Sequence, residues 1–188
     1  MIVPTAKDAN DVIEASDADD DRERGLVMSD ERDIQQVIAK YVRAVDRRDG
    51  AAIAELFIPN GKVTIFYTNG EKDELIVELT GREMIGDAMS KLMKPHSALG
   101  WSRHTTFDTI IEVDGERATV DAQFIVYNVV GAEKPAAGWP ESTLGIQGTI
   151  TPIESGYYRS TLGRNNDGSW RIAEHRIDHD MPFATPRK

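Results

Sequence analysis

Cysteine is absent from this chain of 188 residues, which removes disulfides, thiolate nucleophiles and cysteine-ligated metals from consideration. Long apolar runs are missing too. No stretch approaches the roughly 18 residues that suggest a membrane span. Positive charge is scarce: 22 Lys and Arg face 32 Asp and Glu, a net charge of −10 with a pI near 4.9. That balance argues against nucleic-acid phosphates and against anionic membrane surfaces as partners. There is no Gly-rich phosphate loop, no Gly-x-Ser-x-Gly elbow, no dinucleotide fingerprint and no His-Glu-x-x-His pair. The opening Met1-Ile2-Val3-Pro4-Thr5-Ala6-Lys7-Asp8 lacks the charged-then-apolar layout of a signal peptide. The expectations are a cytoplasmic setting, no nucleic-acid or membrane partner, and neither metal nor other cofactor.

What remains is an ordinary globular composition, 40% apolar and 29% charged, long enough for one domain with a real core. Residues 1–28 stand apart. They hold eight acidic side chains against three basic ones and few aromatics, so they cannot bury enough surface to order themselves. The segment reads as a mobile acidic tail, and residues 29–188 as the folded domain.

The folded part opens with a helix. Ser29 or Asp30 can cap it, and Ile34, Val37, Ile38, Tyr41, Val42 and Val45 form an apolar stripe at helical spacing. Asp46 sits on the edge of that stripe. Arg47-Arg48-Asp49-Gly50 breaks the helix, and a second short one is expected from Ala51 to Phe57, closed by Pro59-Asn60-Gly61. Alternation then predicts strands around Val63–Tyr67 and Glu74–Leu79, and a third helix opening at Thr80-Gly81-Arg82-Glu83. Beyond Pro95 the chain reads as strand at 102–113, 116–130, 143–163 and 169–178. The order is α+β, with helices packed on one face of a long curved sheet.

Two residues carry the chemistry. His104 opens the strand Arg103-His104-Thr105-Thr106-Phe107-Asp108, and Asp46 ends the first helix. A neutral imidazole is a suitable base for a proton on carbon, and a carboxylate on its other nitrogen fixes the tautomer. Each has a plainer alternative: Asp46 can pair with Arg43 or Arg47 on the surface, and His104 can be a wall residue of a binding pocket. Tyr41 belongs first to the core, whereas Tyr67, Tyr127 and Tyr158 can polarise a substrate oxygen. Trp101 and the loop Gly131–Pro140 can cover an opening. Arg164 can meet an anionic group or a carboxylate such as Asp108. The cluster His175-Arg176-Ile177-Asp178-His179-Asp180 reads as a solvated strand end, because residues four apart on a strand lie about 13 Å apart and cannot share one metal. Apolar Ile146, Ile150 and Ile153 on long strands suggest a homodimer or higher homo-oligomer.

In order and spacing, several segments resemble the SnoaL-like group of the NTF2-like superfamily. They are Tyr41–Asp49, Leu56–Gly61, Gly81–Ile85, Arg103–Asp108, Ile111–Ala118, Gly156–Arg164 and Asp167–Ile172. The resemblance implies a cone-shaped α+β barrel, three helices backing a bent, mostly antiparallel sheet around a deep pocket. It places Asp46 and His104 at the Asp–His dyad of the dehydratase and dehydrochlorinase members, and Asp108 where many relatives have Asn. It implies a cofactor-independent lyase or isomerase of dehydratase, dehydrochlorinase or polyketide-cyclase type. The substrate would be small, apolar and cyclic, aromatic or polyketide-like, met by Tyr41, Tyr67, Trp101, Asp108, Tyr127, Tyr158 and Arg164. The family also holds the alternative, a non-catalytic ligand-binding or accessory subunit like the β subunits of ring-hydroxylating dioxygenases.

Overall fold

The apolar stripe of the first helix is the keel of the fold. In the computed structural model, which describes residues 30–68, 70, 72–182 and 184, this helix (α1) runs over residues 30–47. The expected acidic segment 1–28 lies outside the described residues. Every stripe residue from Ile34 to Val45 is buried, none more than 7% exposed. The stripe packs on the sheet through aromatic rings, Tyr41 meeting Phe57 at 6.3 Å and Tyr158 at 6.0 Å, both edge-on.

The remaining elements are α2 (Gly50–Glu55), β1 (Phe57–Thr68), β2 (Asp73–Thr80), α3 (Arg82–Leu92), β3 (Gly100–Asp114), β4 (Arg117–Gly131), β5 (Gly148–Arg164) and β6 (Trp170–His179). Asp49 caps α2 by accepting from the backbone N–H of Ala52 at 3.0 Å. Two glycines let α2 and α3 touch: a Cβ on Gly50 would stand 2.1 Å from the Gly86 carbonyl. The six strands lie in the order β2-β1-β6-β5-β4-β3, antiparallel except for the parallel pair β1–β6. Among the described residues no helix is long and apolar enough to cross a membrane.

The structure corrects two boundaries. The second helix ends at Glu55, and Phe57 already pairs with Ile172, so Pro59-Asn60-Gly61 lies inside β1 as an irregularity of its register. Proline is tolerated there because the interrupted ladder needs no donor from it. The strand expected from residue 143 begins at Gly148, and 132–147 is a loop. The barrel is an open, curved sheet with β2 and β3 as its edges rather than a closed cylinder.

Candidate active site

Asp46 is a carboxylate where a helix least favours one. It occupies the last turn of α1, whose dipole is negative at that end and costs an anion about 0.3–1 kcal/mol, and it is only 5% exposed. The helix nonetheless ends there in a defined way. Arg48 N–H donates to Val45 O and Asp49 N–H to Ala44 O, both at 3.0 Å, with Arg48 in the left-handed region at φ 59°. The Arg48 guanidinium then bonds back to Val45 O at 2.7 Å and to Ser102 Oγ at 3.2 Å, tying the helix end to β3. The Asp46 carbonyl accepts from His96 Nε2–H at 2.7 Å, and the His96 ring stacks on Trp101 at 4.6 Å.

The compensation for the buried carboxylate comes from His104. Its ring Nδ1–H donates to Asp46 Oδ1 at 2.6 Å, and its backbone N–H donates to both carboxylate oxygens at 3.1 and 3.3 Å. Ser102 Oγ–H adds a longer bond at 3.4 Å. A carboxylate can only accept, so Nδ1 must carry a proton, and in the neutral ring the lone pair is then at Nε2. Both side chains are almost enclosed, 9% and 7% exposed.

His104 forms part of the wall of a cavity of about 440 Å³. The lining is mostly apolar: Val45 from α1, Ile65 from β1, Met89 and Met93 from and after α3, Phe124, Ile153 and Ile177 from the sheet. Its polar groups are Tyr41, Tyr158, Glu154, His104 and His179. Burial raises the phenols of Tyr41 and Tyr158, and for Tyr158 the neighbouring Tyr41, Glu154 and Asp46 add to it, so both stay protonated donors.

The other expected site residues are placed as follows. Tyr67 shares the inner-facing register of β1 with Ile65 but is not part of the cavity wall. Trp101 lines a second groove, between α1 and β3, whose wall also includes Asp46 and His104, and it lies under the Arg103 guanidinium at 4.8 Å. Tyr127 pairs with Arg103 on the far side of β4 from the buried Phe124 and Val126. Asp108 is exposed at a bulge, where it and Thr109 together face Ala122, and its φ is 50°. Asn and Asp are the residues that tolerate this conformation, a backbone reason for either at this position. Arg164 pairs with Asp30 and lies over Trp170 at 4.5 Å, so its partner is the start of α1 rather than Asp108. The structure thus brings His104, Tyr41 and Tyr158 to the cavity wall, leaves Asp46 bonded to His104 in the groove that Trp101 also lines, and keeps Tyr67, Asp108, Tyr127 and Arg164 out of that wall.

The C-terminal cluster is not a solvated strand end. His175 is 1% and Asp178 2% exposed. Residues 175, 177 and 179 alternate inward toward α1 and the cavity, because the curved sheet encloses this end of β6. His175 Nδ1 shares a hydrogen bond with Ser160 Oγ at 2.7 Å, and the ring is surrounded by Tyr41, Phe57 and Tyr158. Desolvation drives it down to about 3, a neutral core histidine. Asp178 faces the other way, held by Arg159 and by Arg176 at 2.7 Å. Among the described residues no three His, Asp or Glu side chains gather as metal ligands would. Of the other polar cavity residues, the sequence reading did not name Glu154 and assigned His179 to the solvated strand end. The i, i+4 spacing of His175 and His179 was the available signal, since it puts both on one strand face.

The architecture is that of the NTF2-like α+β proteins. Similar solved structures include an NTF2-like protein with a cystatin-like fold from Novosphingobium aromaticivorans, 20% identical over 84% of this chain and 86% of that one, TM-score 0.59. The same organism supplies the β subunit of a protein assigned as an aromatic-ring-hydroxylating dioxygenase, at 15% identity, 85% and 95% coverage and TM-score 0.62. It also supplies a protein assigned as a scytalone dehydratase, at 17%, 82% and 86%, TM-score 0.57. At these identities the likeness is one of fold. Residues 27–176 match the SnoaL-like domain, and the chain belongs to that family. No curated protein matches it.

Proposed function

We propose that this protein is a cofactor-independent lyase or isomerase of the dehydratase, dehydrochlorinase or cyclase type, acting on a small apolar cyclic substrate. The supporting observation is the 2.6 Å bond to the buried Asp46 carboxylate from Nδ1 of His104, which itself forms part of the wall of a mostly apolar cavity. Nδ1 is spent on Asp46, so the basic lone pair is the one at Nε2. That atom removes a proton from the carbon next to a carbonyl. Asp46 holds the ring in the productive tautomer and stabilises the imidazolium that forms. Tyr41 and Tyr158 supply protonated hydroxyls for the substrate oxygen that gains charge. The cavity volume suits one drug-sized ligand, within the usual 300–1,000 Å³. The protein works in the cytoplasm and needs neither metal nor other cofactor.

The test is a set of cyclic β-hydroxyketones of one to three rings, incubated in D₂O and followed by NMR for α-deuteration and loss of water. The expected result is turnover by the wild type. His104→Ala should lower it by about 10²–10⁴-fold, the usual worth of a positioned base, with the melting temperature unchanged. Turnover that survives His104→Ala would sink the dyad as the catalytic base.

A second reading draws on the apolar surface left exposed at Leu144 (94%), Ile146 (101%) and Ile150 (68%). It takes the chain as a non-catalytic accessory subunit whose cavity only binds, and whose exposed face meets a larger partner. In that case the same ketones bind without exchange, and His104→Ala changes affinity alone. In either reading the exposed face is covered by association, and a homodimer or higher homo-oligomer covers it most simply.

A further inference from the structure

We propose that His179, steered by Glu154, is the proton donor of this cavity, delivering to the leaving oxygen the proton that water needs when His104 takes one from carbon. The inference rests on the lyase reading above and adds to it the second half of the reaction. Elimination of hydroxide from an unactivated alcohol is slow without an acid, because hydroxide is a poor leaving group. Asp46 and His104 together supply only a base.

The geometry singles out His179. It stands on β6, with two strands between it and the His104 strand on the curved sheet, and lines the same cavity. Its Nδ1 is 4.0 Å from Glu154 Oε2, with side chains 19% and 46% exposed, so it can refill its proton from solvent while His104 at 9% is enclosed. Glu154 reaches the cavity through a bulge. Val126 pairs with Glu154 and Tyr127 with Pro152, which leaves Ile153 unpaired and turns two consecutive residues, Ile153 and Glu154, to the same wall. The His179 ring is fixed by an edge-on contact with Phe124 at 5.5 Å, made across Gly156 of the intervening strand. A positioned side chain, a partnering carboxylate and a solvent path are the parts a proton donor needs.

The electrostatics suit the role. Burial lowers the His179 imidazolium, Glu154, Asp180 and Asp178 oppose the shift, and His104 adds to it. The result is a stronger acid than free imidazolium, still paired with carboxylates. In the step itself His104 Nε2 takes the proton from the α-carbon, the electron pair passes onto the carbonyl oxygen, and from that enolate it forms the new C=C bond. The C–O bond breaks with its pair on oxygen, and the His179 proton lands there to release water. His104 is left protonated and His179 neutral, and exchange with solvent resets both.

The experiment compares two probes, 3-hydroxycyclohexanone and 3-(4-nitrophenoxy)cyclohexanone, in wild type, His179→Gln, Glu154→Gln and His104→Ala. Nitrophenolate leaves without a proton, so only the hydroxy compound needs the acid. His179→Gln should lower elimination of water by about 10²–10⁴-fold, while nitrophenolate release and α-deuteration in D₂O stay within about threefold. Glu154→Gln should give a smaller loss with the same selectivity for the hydroxy compound. Equal effects of His179→Gln on both probes, or none on either, overturn the proposal. Loss of both probes in His104→Ala tests the base separately. If His104→Ala keeps α-deuteration, the lyase reading falls whatever His179→Gln does. A melting temperature of His179→Gln near wild type separates lost chemistry from lost fold.

Discussion

Phe124 and His179 meet edge-on at 5.5 Å although a whole strand lies between them. They belong to β4 and β6, and the residue between them in the ladder is Gly156, paired with Phe124 on one side and His179 on the other. The missing side chain is what lets the two rings approach. A Cβ at Gly156 would stand 1.9 Å from the Asp178 carbonyl and 3.0 Å from the Phe124 ring.

Gly156→Ala should therefore be costly. Backbone cannot swing aside as a flexible side chain does, so β5 and β6 must separate locally. The expected loss is about 3 kcal/mol, the upper end for overpacking, read as a lower denaturant midpoint in chemical unfolding. An alanine tolerated within about 0.5 kcal/mol would show that the close approach is not a constraint.

Asp46→Asn tests orientation rather than charge alone. The amide NH₂ can donate to His104 Nδ1, which favours the tautomer with the proton on Nε2 and removes the base from the cavity. The expected fall in kcat is on the order of 10⁴, the size seen for the same exchange in a serine-protease triad. Nitrogen-15 NMR of the His104 ring should show the proton moving from Nδ1 to Nε2. An unchanged tautomer with an unchanged rate would refute the assignment.

His175 predicts a pH dependence of stability. Its folded value lies at about 3 against an ordinary 6.5, because burial penalises the charged ring. Above about pH 6.5 both states are neutral and the group costs nothing. As pH falls from there toward 3 only the unfolded chain takes the proton, and stability drops by up to about 1.4 kcal/mol per unit. His175→Gln, which keeps a partner for Ser160, should flatten this slope by about one proton between pH 6 and 4. Urea titrations at several pH values would read it directly. A slope identical to the wild type would remove His175 from the account of acid unfolding.

The exposed Ile146 and Ile150 predict self-association. Two isoleucines at 101% and 68% exposure, beside Leu144 at 94%, leave apolar surface that a second copy would remove from water. Sedimentation should find the wild type as a dimer or larger and the double change Ile146→Asp, Ile150→Asp as a monomer. A monomeric wild type would refute homo-oligomerisation and favour a different partner for this face.

Periodicity alone determined a good deal of this molecule. The stripe from Ile34 to Val45 and the strand pattern along β4 follow local rules of backbone and burial, and they are buried and paired as those rules require. Asp46 and His104 were visible as residue types at an element's end and an element's start. The tertiary structure decided what local rules cannot reach. It settled that Pro59-Asn60-Gly61 lies within a strand, that Asp108 stands at a bulge away from the cavity, and that Arg164 answers to Asp30. It also turned a polar C-terminal cluster inward, placing His175 in the core and His179 in the cavity wall. The reason is physical: a strand's period says which residues share a face, but only the curvature of the whole sheet says whether that face meets water, a helix or an enclosed space.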